Sequence, residues 1–202
     1  LVANFPCMEV RPGSMGKPAP TLDVDVVDED GHRLGAGEEG HLALATEPER
    51  PVGLMAGYWR DDAADAEAFR HGWYYTGDRG VRDEDGYLWF VARDDDVITS
   101  AAYRIGPFEV ESALVEHPAV AEAAVVGKPD PRRGQVVKAF VVLTPGHEGS
   151  PALVQELQEH CRTVTAPYKY PREIEFTADL PKTISGKIRR VELREREQAA
   201  ST

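Results

Sequence analysis

Apolar and polar residues alternate along the first half of the chain and fall at mixed spacings along the second. Leu22-Asp-Val-Asp-Val-Val27 and His41-Leu-Ala-Leu-Ala45 alternate with period two, which predicts strands. Asp28-Glu-Asp-Gly31 predicts the turn after the first. Asp61 to Arg70 is rich in Ala and carries its acids in the first turn, where they complement the helix dipole, so a short helix is expected. Two short strands follow, around Tyr74 and around Tyr87–Val91, with the turn Asp83-Glu-Asp-Gly86 between them.

In the second half, Val97–Ser100 and Tyr103–Ile105 predict a small hairpin. Pro107 suits the first position of a helix running to about Glu116, and Pro118 stops it. Val120–Val126 and Val136–Leu143 predict strongly apolar strands. Ser150-Pro151 is a cap and first-turn proline for a helix to about Arg162, with Leu153, Leu157 and Cys161 at four-residue spacing. Glu173–Phe176 predicts a last short strand, and a charged helix from about Lys187 closes the chain. The fold class expected is α+β, a β-rich, barrel-like first part followed by a small mixed one.

Charge sharpens that division. The 202 residues carry a net charge of −12. Residues 1–96 hold 21 acids and 9 bases, whereas residues 97–202 hold 14 of each. Two halves with different electrostatics predict two domains, 1–93 and 94–202, with the boundary at Arg93-Asp-Asp-Asp96. The negative balance disfavours nucleic acid and anionic membrane as partners. No run approaches the roughly 18–20 apolar residues needed to span a bilayer. LVANFPCMEV lacks a basic leader before an apolar block, and a cytoplasmic location is expected. Cys7 and Cys161 lie far apart and read as free thiols. The six histidines show no paired ligand spacing, so no protein-held metal is expected.

Two glycine motifs fail on context. Gly35-Ala-Gly37-Glu-Glu-Gly40 matches G-x-G-x-x-G, but a strand follows it and its glutamates would repel phosphate. Ser185-Gly-Lys187 looks like the end of a phosphate loop, but Pro181 and Ile188 stand where Gly and Ser or Thr are required. By itself Lys187 is then a helix-end surface cation, Tyr75-Thr-Gly-Asp78 is turn chemistry, and Arg93–Asp96 is a solvated charge run. An ionised Asp78 after a glycine could nevertheless accept two hydrogen bonds from a ribose diol.

Order and spacing change these readings. "GWYYTGDRG", "RDDDVITSAAYRIGPFEVE", "VVGKPDPRRGQVVKAFVVL", "APYKYPREIEF" and "LPKTISGKIRR" together closely resemble the acyl-adenylate-forming enzymes, most of all the medium-chain acyl-CoA synthetase branch. "MEVRPGSMGKP" and "GLMAGYWRD" extend the resemblance over essentially the whole chain. It implies the last subdomain of a large N-terminal adenylation domain followed by the whole mobile C-terminal domain. The family's phosphate loop and aromatic-Gly-x-Thr-Glu motif would lie upstream of Leu1, so the fragment alone is expected to be inactive.

The resemblance implies activation of a carboxylic acid by ATP to acyl-AMP, then transfer to CoA, with Mg2+ held mainly by ATP and the upstream part. Asp78 would bind the ribose hydroxyls, and Arg93 the same nucleotide. Asp95, in the family's R-x-D-D, would be the hinge. Lys187 would bridge the attacking carboxylate and the α-phosphate as the catalytic cation. Ala101, Ala102, Tyr103 and Arg104 would line the pantetheine tunnel. Arg133, Arg162, Tyr170, Pro171 and Arg172 would hold the nucleotide phosphates of CoA, for which arginine forks are suited. Acetylation and deacetylation of Lys187 would switch adenylation. Ala102 stands where the family usually has Gly, and Asp94 is an extra acid at the x of R-x-D-D. A non-catalytic nucleotide- or CoA-binding module, or an adenylation enzyme with another acceptor, are the competing functions.

Overall fold

A computed structural model describes residues 1–200. The chain forms two compact units, Leu1–Asp95 and a second beginning at Asp96, so the division falls inside the Arg93–Asp96 run.

The first unit contains β1 (Val2–Ala3), β2 (Lys17–Pro18), β3 (Val24–Val27), β4 (Glu39–Ala45), α1 (Asp62–Ala68), β5 (Phe69–Arg70), β6 (Trp73–Arg82) and β7 (Leu88–Arg93). Strands β3, β4, β6 and β5 lie side by side in that order, with β7 also on β6, and every pairing is antiparallel. Alternation sends Val24, Val26, Leu42 and Leu44 to one core cluster and Val27, Ala43, Trp73 and Tyr75 to another. The predicted strand around Tyr74 extends to Arg82, and so absorbs Tyr75-Thr-Gly-Asp78, which is strand and not turn. Register shifts flank it, between His41 and Ala43 on β4 and between Arg79 and Gly80 on β6. Bulges of this kind re-aim side chains without ending the sheet. Gly80 is required by close approach, since a β-carbon there would lie 2.7 Å from the Trp89 carbonyl oxygen.

The second unit contains β8 (Ile98–Ser100), β9 (Tyr103–Ile105), α2 (Pro107–Val115), β10 (Val120–Asp130), β11 (Gly134–Leu143), α3 (Pro151–Val164), β12 (Glu173–Phe176) and α4 (Arg190–Ala200). Its sheet runs β10-β11-β8-β9, with β12 parallel to β11. The unbroken apolar runs of β10 and β11 follow from burial on both faces. Val125, Val137, Ala139 and Val141 pack with Val110, Leu114 and Leu157 of α2 and α3. Ala124, Val126 and Phe140 pack with Leu180, which lies before α4, and with Leu193 of α4. Ser150 caps α3 as its sequence predicts, accepting from the Leu153 N–H at 3.2 Å.

The last helix begins at Arg190, not near Lys187. Gly186 takes a left-handed φ of +83°. Thr183 N–H donates to the Lys187 carbonyl at 2.8 Å, and Lys187 N–H donates to Thr183 Oγ1 at 3.1 Å. A bridge between Lys182 and Ile188 closes the loop. Lys187 therefore sits on a tight turn whose backbone groups are already engaged.

Two outcomes follow from the packing. Phe140→Ala is expected to destabilise the second unit by about 3–5 kcal/mol, measured by urea unfolding. Cys7 is exposed, whereas Cys161 is buried and burial pushes its thiol up to about 11. A maleimide at neutral pH should thus label Cys7 alone until denaturant is added.

Candidate functional site

In the first unit, β6 and β7 place Asp78 opposite Arg93 in register. The Arg93 guanidinium lies 3.2 Å from Asp78 Oδ1 and also donates to the Thr76 carbonyl at 3.3 Å. Gly77 makes this possible. Its φ is +75°, and a β-carbon on it would meet Arg93 Nη2 at 2.9 Å. Thr76 Oγ1 donates to the Leu42 carbonyl at 2.7 Å and accepts from the Asp78 N–H at 3.2 Å, so the strand's own hydroxyl sets the carboxylate's direction. A cleft of about 570 Å³ opens here, its walls including His41, Arg70, Tyr75, Thr76, Gly77 and Arg93. The two nucleotide residues expected in this unit are therefore neighbours, and Arg93 lines the polar cleft.

The alternation pattern gave no warning of the charges beneath it. His41 and Arg79 are buried at the sheet. His41 Nδ1 lies 2.9 Å from Asp94 Oδ2, and its Nε2 lies 2.9 Å from Glu29. Arg79 pairs with Glu39 at 2.9 Å and with Asp94 at 3.4 Å. The hydrogen bond to Asp94 raises the His41 pKa against the opposing effect of burial, and Glu29 adds to the rise. Burial acts to raise the Asp94 carboxyl, but the His41 hydrogen bond and the charges of His41 and Arg79 outweigh it and hold it below the ordinary value. The only sequence signal was a histidine opening an otherwise apolar strand. A second acidic group, Asp28 and Asp30 with His32, has ligand-type atoms close together. Asp28 Oδ1 already accepts from the Asp30 and His32 N–H groups, as in a turn cap.

In the second unit, the Lys187 turn is fastened to the fold by its flanks. Arg189 N–H donates to the Pro181 carbonyl at 2.8 Å. Arg190 forks onto Glu111 at 2.9 and 2.6 Å, and Glu111 also accepts from the Val125 N–H at 2.8 Å. Lys182 pairs with Glu122 at 2.7 Å, and Arg189 pairs with Glu192. Lys187 itself is exposed and has no carboxylate partner among the described residues.

The residues expected to face CoA gather in the same unit. Ala101 and Ala102 are the two-residue loop between β8 and β9. Ala101 N–H donates to the Arg133 carbonyl at 2.8 Å, which brings that arginine beside the loop. Tyr103 stacks on Tyr168 with centroids 4.2 Å apart. Tyr170 lies between Arg162, 3.8 Å from its ring centroid, and Arg172, which donates to its hydroxyl at 2.8 Å. Tyr103, Arg104 and Arg133 are exposed, whereas Pro171 is buried with its carbonyl held by Gln158 at 3.1 Å. The left-handed residue of the loop is Ala101, with φ 55°, and not Ala102. Tyr168 is the member of this surface that sequence reasoning missed, although it stands in the same APYKYP segment.

Over 199 residues, 98% of its length, the chain is 56% identical to the mitochondrial acyl-coenzyme A synthetase ACSM3 of Mus musculus. Residues 109–187 match the AMP-binding enzyme C-terminal domain. These residues belong to the AMP-binding enzyme C-terminal domain family. It is also 55% identical over 98% of its length to 4-hydroxybutyrate–CoA ligase 1 of Metallosphaera sedula. It spans 34% and 35% of the lengths of these two relatives. The crystal structure of the anthranilate CoA ligase AuaEII with anthranoyl-AMP matches 100% of this chain and 38% of that one, with a TM-score of 0.85 and 40% identity. The motifs that carried the resemblance thus fall on a polar cleft in one unit, and on a lysine turn and an arginine–tyrosine surface in the other.

The His41 environment has a pH signature. Its folded-state pKa is raised above the unfolded value of about 6.5, so the stabilisation from protonated His41 is complete below that value. It is lost as pH rises through the raised folded-state pKa. The depressed Asp94 acts at the acidic end, where its contribution is lost as pH falls. Denaturant titrations of the first unit from about pH 6 to pH 9 should show a falling midpoint. His41→Gln should flatten that slope; an unchanged slope would assign it to other groups.

Proposed function

We propose that this chain supplies the nucleotide-contacting strand pair, the catalytic lysine and the CoA-facing surface of an acyl-CoA synthetase that forms acyl-AMP from ATP and a carboxylic acid. The observation that carries the proposal is the state of Lys187. Lys182, Arg189 and Arg190 around it are all paired with carboxylates, while Lys187 is presented exposed on a rigid turn. An unneutralised, positioned ammonium is suited to oxygens that gain charge in the transition state.

In the first half-reaction the carboxylate oxygen attacks the α-phosphorus, and pyrophosphate leaves with the bond electrons. Lys187 would bridge the attacking and α-phosphate oxygens. Asp78, aimed by Thr76 and Arg93, would accept from the ribose hydroxyls, and Arg93 would meet the same nucleotide. Magnesium would arrive with the ATP phosphates and neutralise part of their charge. In the second half-reaction the CoA thiolate attacks the acyl carbonyl and AMP leaves. The exposed loop Ala101–Arg104 would guide pantetheine, and Arg133, Arg162 and Arg172 would pair with phosphates, with Tyr170 holding two of those guanidinium groups. Lys187 acetylation would remove the charge needed only in the first step.

Half-reaction assays on the full-length enzyme test this assignment. Lys187→Ala should lower carboxylate-dependent ATP–pyrophosphate exchange by about 100- to 1,000-fold. Attack of CoA on supplied acyl-AMP should stay within a few-fold of wild type. Equal losses in both steps would remove Lys187 from the adenylation chemistry. Acyl transfer to a carrier thiol or to an amine, with none to CoA, would replace the acceptor.

A further inference from the structure

Cations of the second unit are mostly neutralised. Lys138, Lys182 and Arg190 pair with carboxylates at 2.7, 2.7 and 2.6 Å. Arg104, Arg132 and Arg133 differ: all three are exposed, and none forms an ion pair among the described residues. They also lie together. Pro131, Arg132 and Arg133 make the turn between β10 and β11. Asp130 Oδ1 accepts from the Arg132 N–H at 2.9 Å and from the Arg133 N–H at 2.8 Å. The carboxylate nearest in sequence therefore shapes the turn and forms no ion pair with either guanidinium. Gly134 faces Ser100 of β8, and the Arg133 carbonyl accepts from the Ala101 N–H at 2.8 Å. Thr99 N–H donates to Gln135 Oε1 at 3.0 Å. The turn is thus pinned to the base of the Ala101–Ala102 loop, and Arg104 follows on β9, opposite Thr99.

We propose that Arg132 is a further phosphate-binding residue, and that it takes the ribose 3′-phosphate that distinguishes CoA from other pantetheine thiols. The resemblance extends to Arg133 but gives Arg132 no role. The proposal rests on the function proposed above, because it takes the Ala101–Arg104 loop as the pantetheine path. Order along the surface then follows order along the ligand. Pantetheine meets the loop, the diphosphate meets Arg133 beside it, and the 3′-phosphate meets Arg132, one residue nearer the tip of the turn. A phosphate monoester near neutral pH carries about −1.5 to −2 charges and three acceptor oxygens. Planar guanidinium groups bind such oxygens two at a time. Adjacent arginines without carboxylate partners repel each other, and a multiply charged anion relieves that repulsion. Dephospho-CoA and a carrier-bound phosphopantetheine lack the 3′-phosphate and leave Arg132 without a ligand, so the residue acts on the difference between acceptors.

Steady-state kinetics of the full-length enzyme with CoA and with dephospho-CoA test the proposal. Arg132→Ala should raise the KM for CoA about tenfold, the low end for a hydrogen bond to a charged group, with kcat within about twofold. The KM for dephospho-CoA should stay within about twofold of wild type. Arg132→Lys should keep part of the preference for CoA, since it retains a point charge without the fork. Carboxylate-dependent ATP–pyrophosphate exchange should not change. An equal rise in KM for both thiols, or no rise for CoA, overturns the proposal. A second readout needs no turnover. In amide NMR spectra of the 202-residue chain, adenosine 3′,5′-bisphosphate should shift residues 99–104 and 132–135. Arg132→Ala should weaken that binding about tenfold, to the level at which ADP binds the wild-type chain. No shift from the bisphosphate, or equal shifts from inorganic phosphate at the same concentration, overturns the 3′-phosphate site. If the wild-type enzyme forms no acyl-CoA, the proposed function falls while the titration still decides that site.

Discussion

A carboxylate taken out of water needs a cation, and this acidic chain is organised around meeting that need. Of its buried polar residues, Asp25 is bound by Arg33 and Arg82, Glu111 by Arg190, and Glu197 by Lys138. Buried pairs of this kind add little net stability, because desolvation offsets attraction, but removing one partner strands the other at several kcal/mol. Their effect is on geometry. Arg82 ties β6 to β3 through Asp25, Arg190 ties the start of α4 to α2, and Lys138 ties its end to β11. No buried side-chain nitrogen or oxygen among the described residues lacks a hydrogen-bond partner.

Against that background a few charged groups are left available. Lys187 is presented by a turn whose backbone bonds are internal, so its ammonium is positioned without being neutralised. Arg93 is shared between Asp78 and Asp95, an arrangement that orients both carboxylates yet leaves the guanidinium half-exposed. Arg162 and Arg172 rest on Tyr170, and cations over an aromatic face keep their charge for an anion. Pre-placed cations of this kind suit anionic ligands, because they need no reorganisation when charge arrives.

Local sequence rules were sufficient for most of the elements. Period-two alternation found β3 and β4, and Ser150-Pro151 with Leu153, Leu157 and Cys161 found α3. They failed where tertiary pairing overrides local preference. Tyr75-Thr-Gly-Asp78 has turn composition, yet β4 and β7 pair with it from both sides and the glycine is accommodated as an irregularity within a strand. Lys187-Ile-Arg-Arg has helical composition, yet left-handed Gly186 and the bond from Thr183 to the Lys187 carbonyl delay the helix to Arg190.

The order and spacing of motifs were sufficient, without coordinates, to find the likeness to AMP-binding enzymes, because a motif series is carried by residue identity and spacing along the chain. What only the tertiary structure decided is which charges are spent on the fold and which are left without a carboxylate partner. Arg79 and Arg190 carry the same kind of charge as Arg93 and Lys187. Burial against Glu39 and Asp94 commits Arg79, and the fork onto Glu111 commits Arg190. Likewise three consecutive aspartates share one side-chain chemistry, but His41 and Arg79 take the first and Arg190 and Arg194 the third. Electrostatic commitment depends on which residues meet across the fold, and partners 53 or 98 positions apart leave no local trace in the chain.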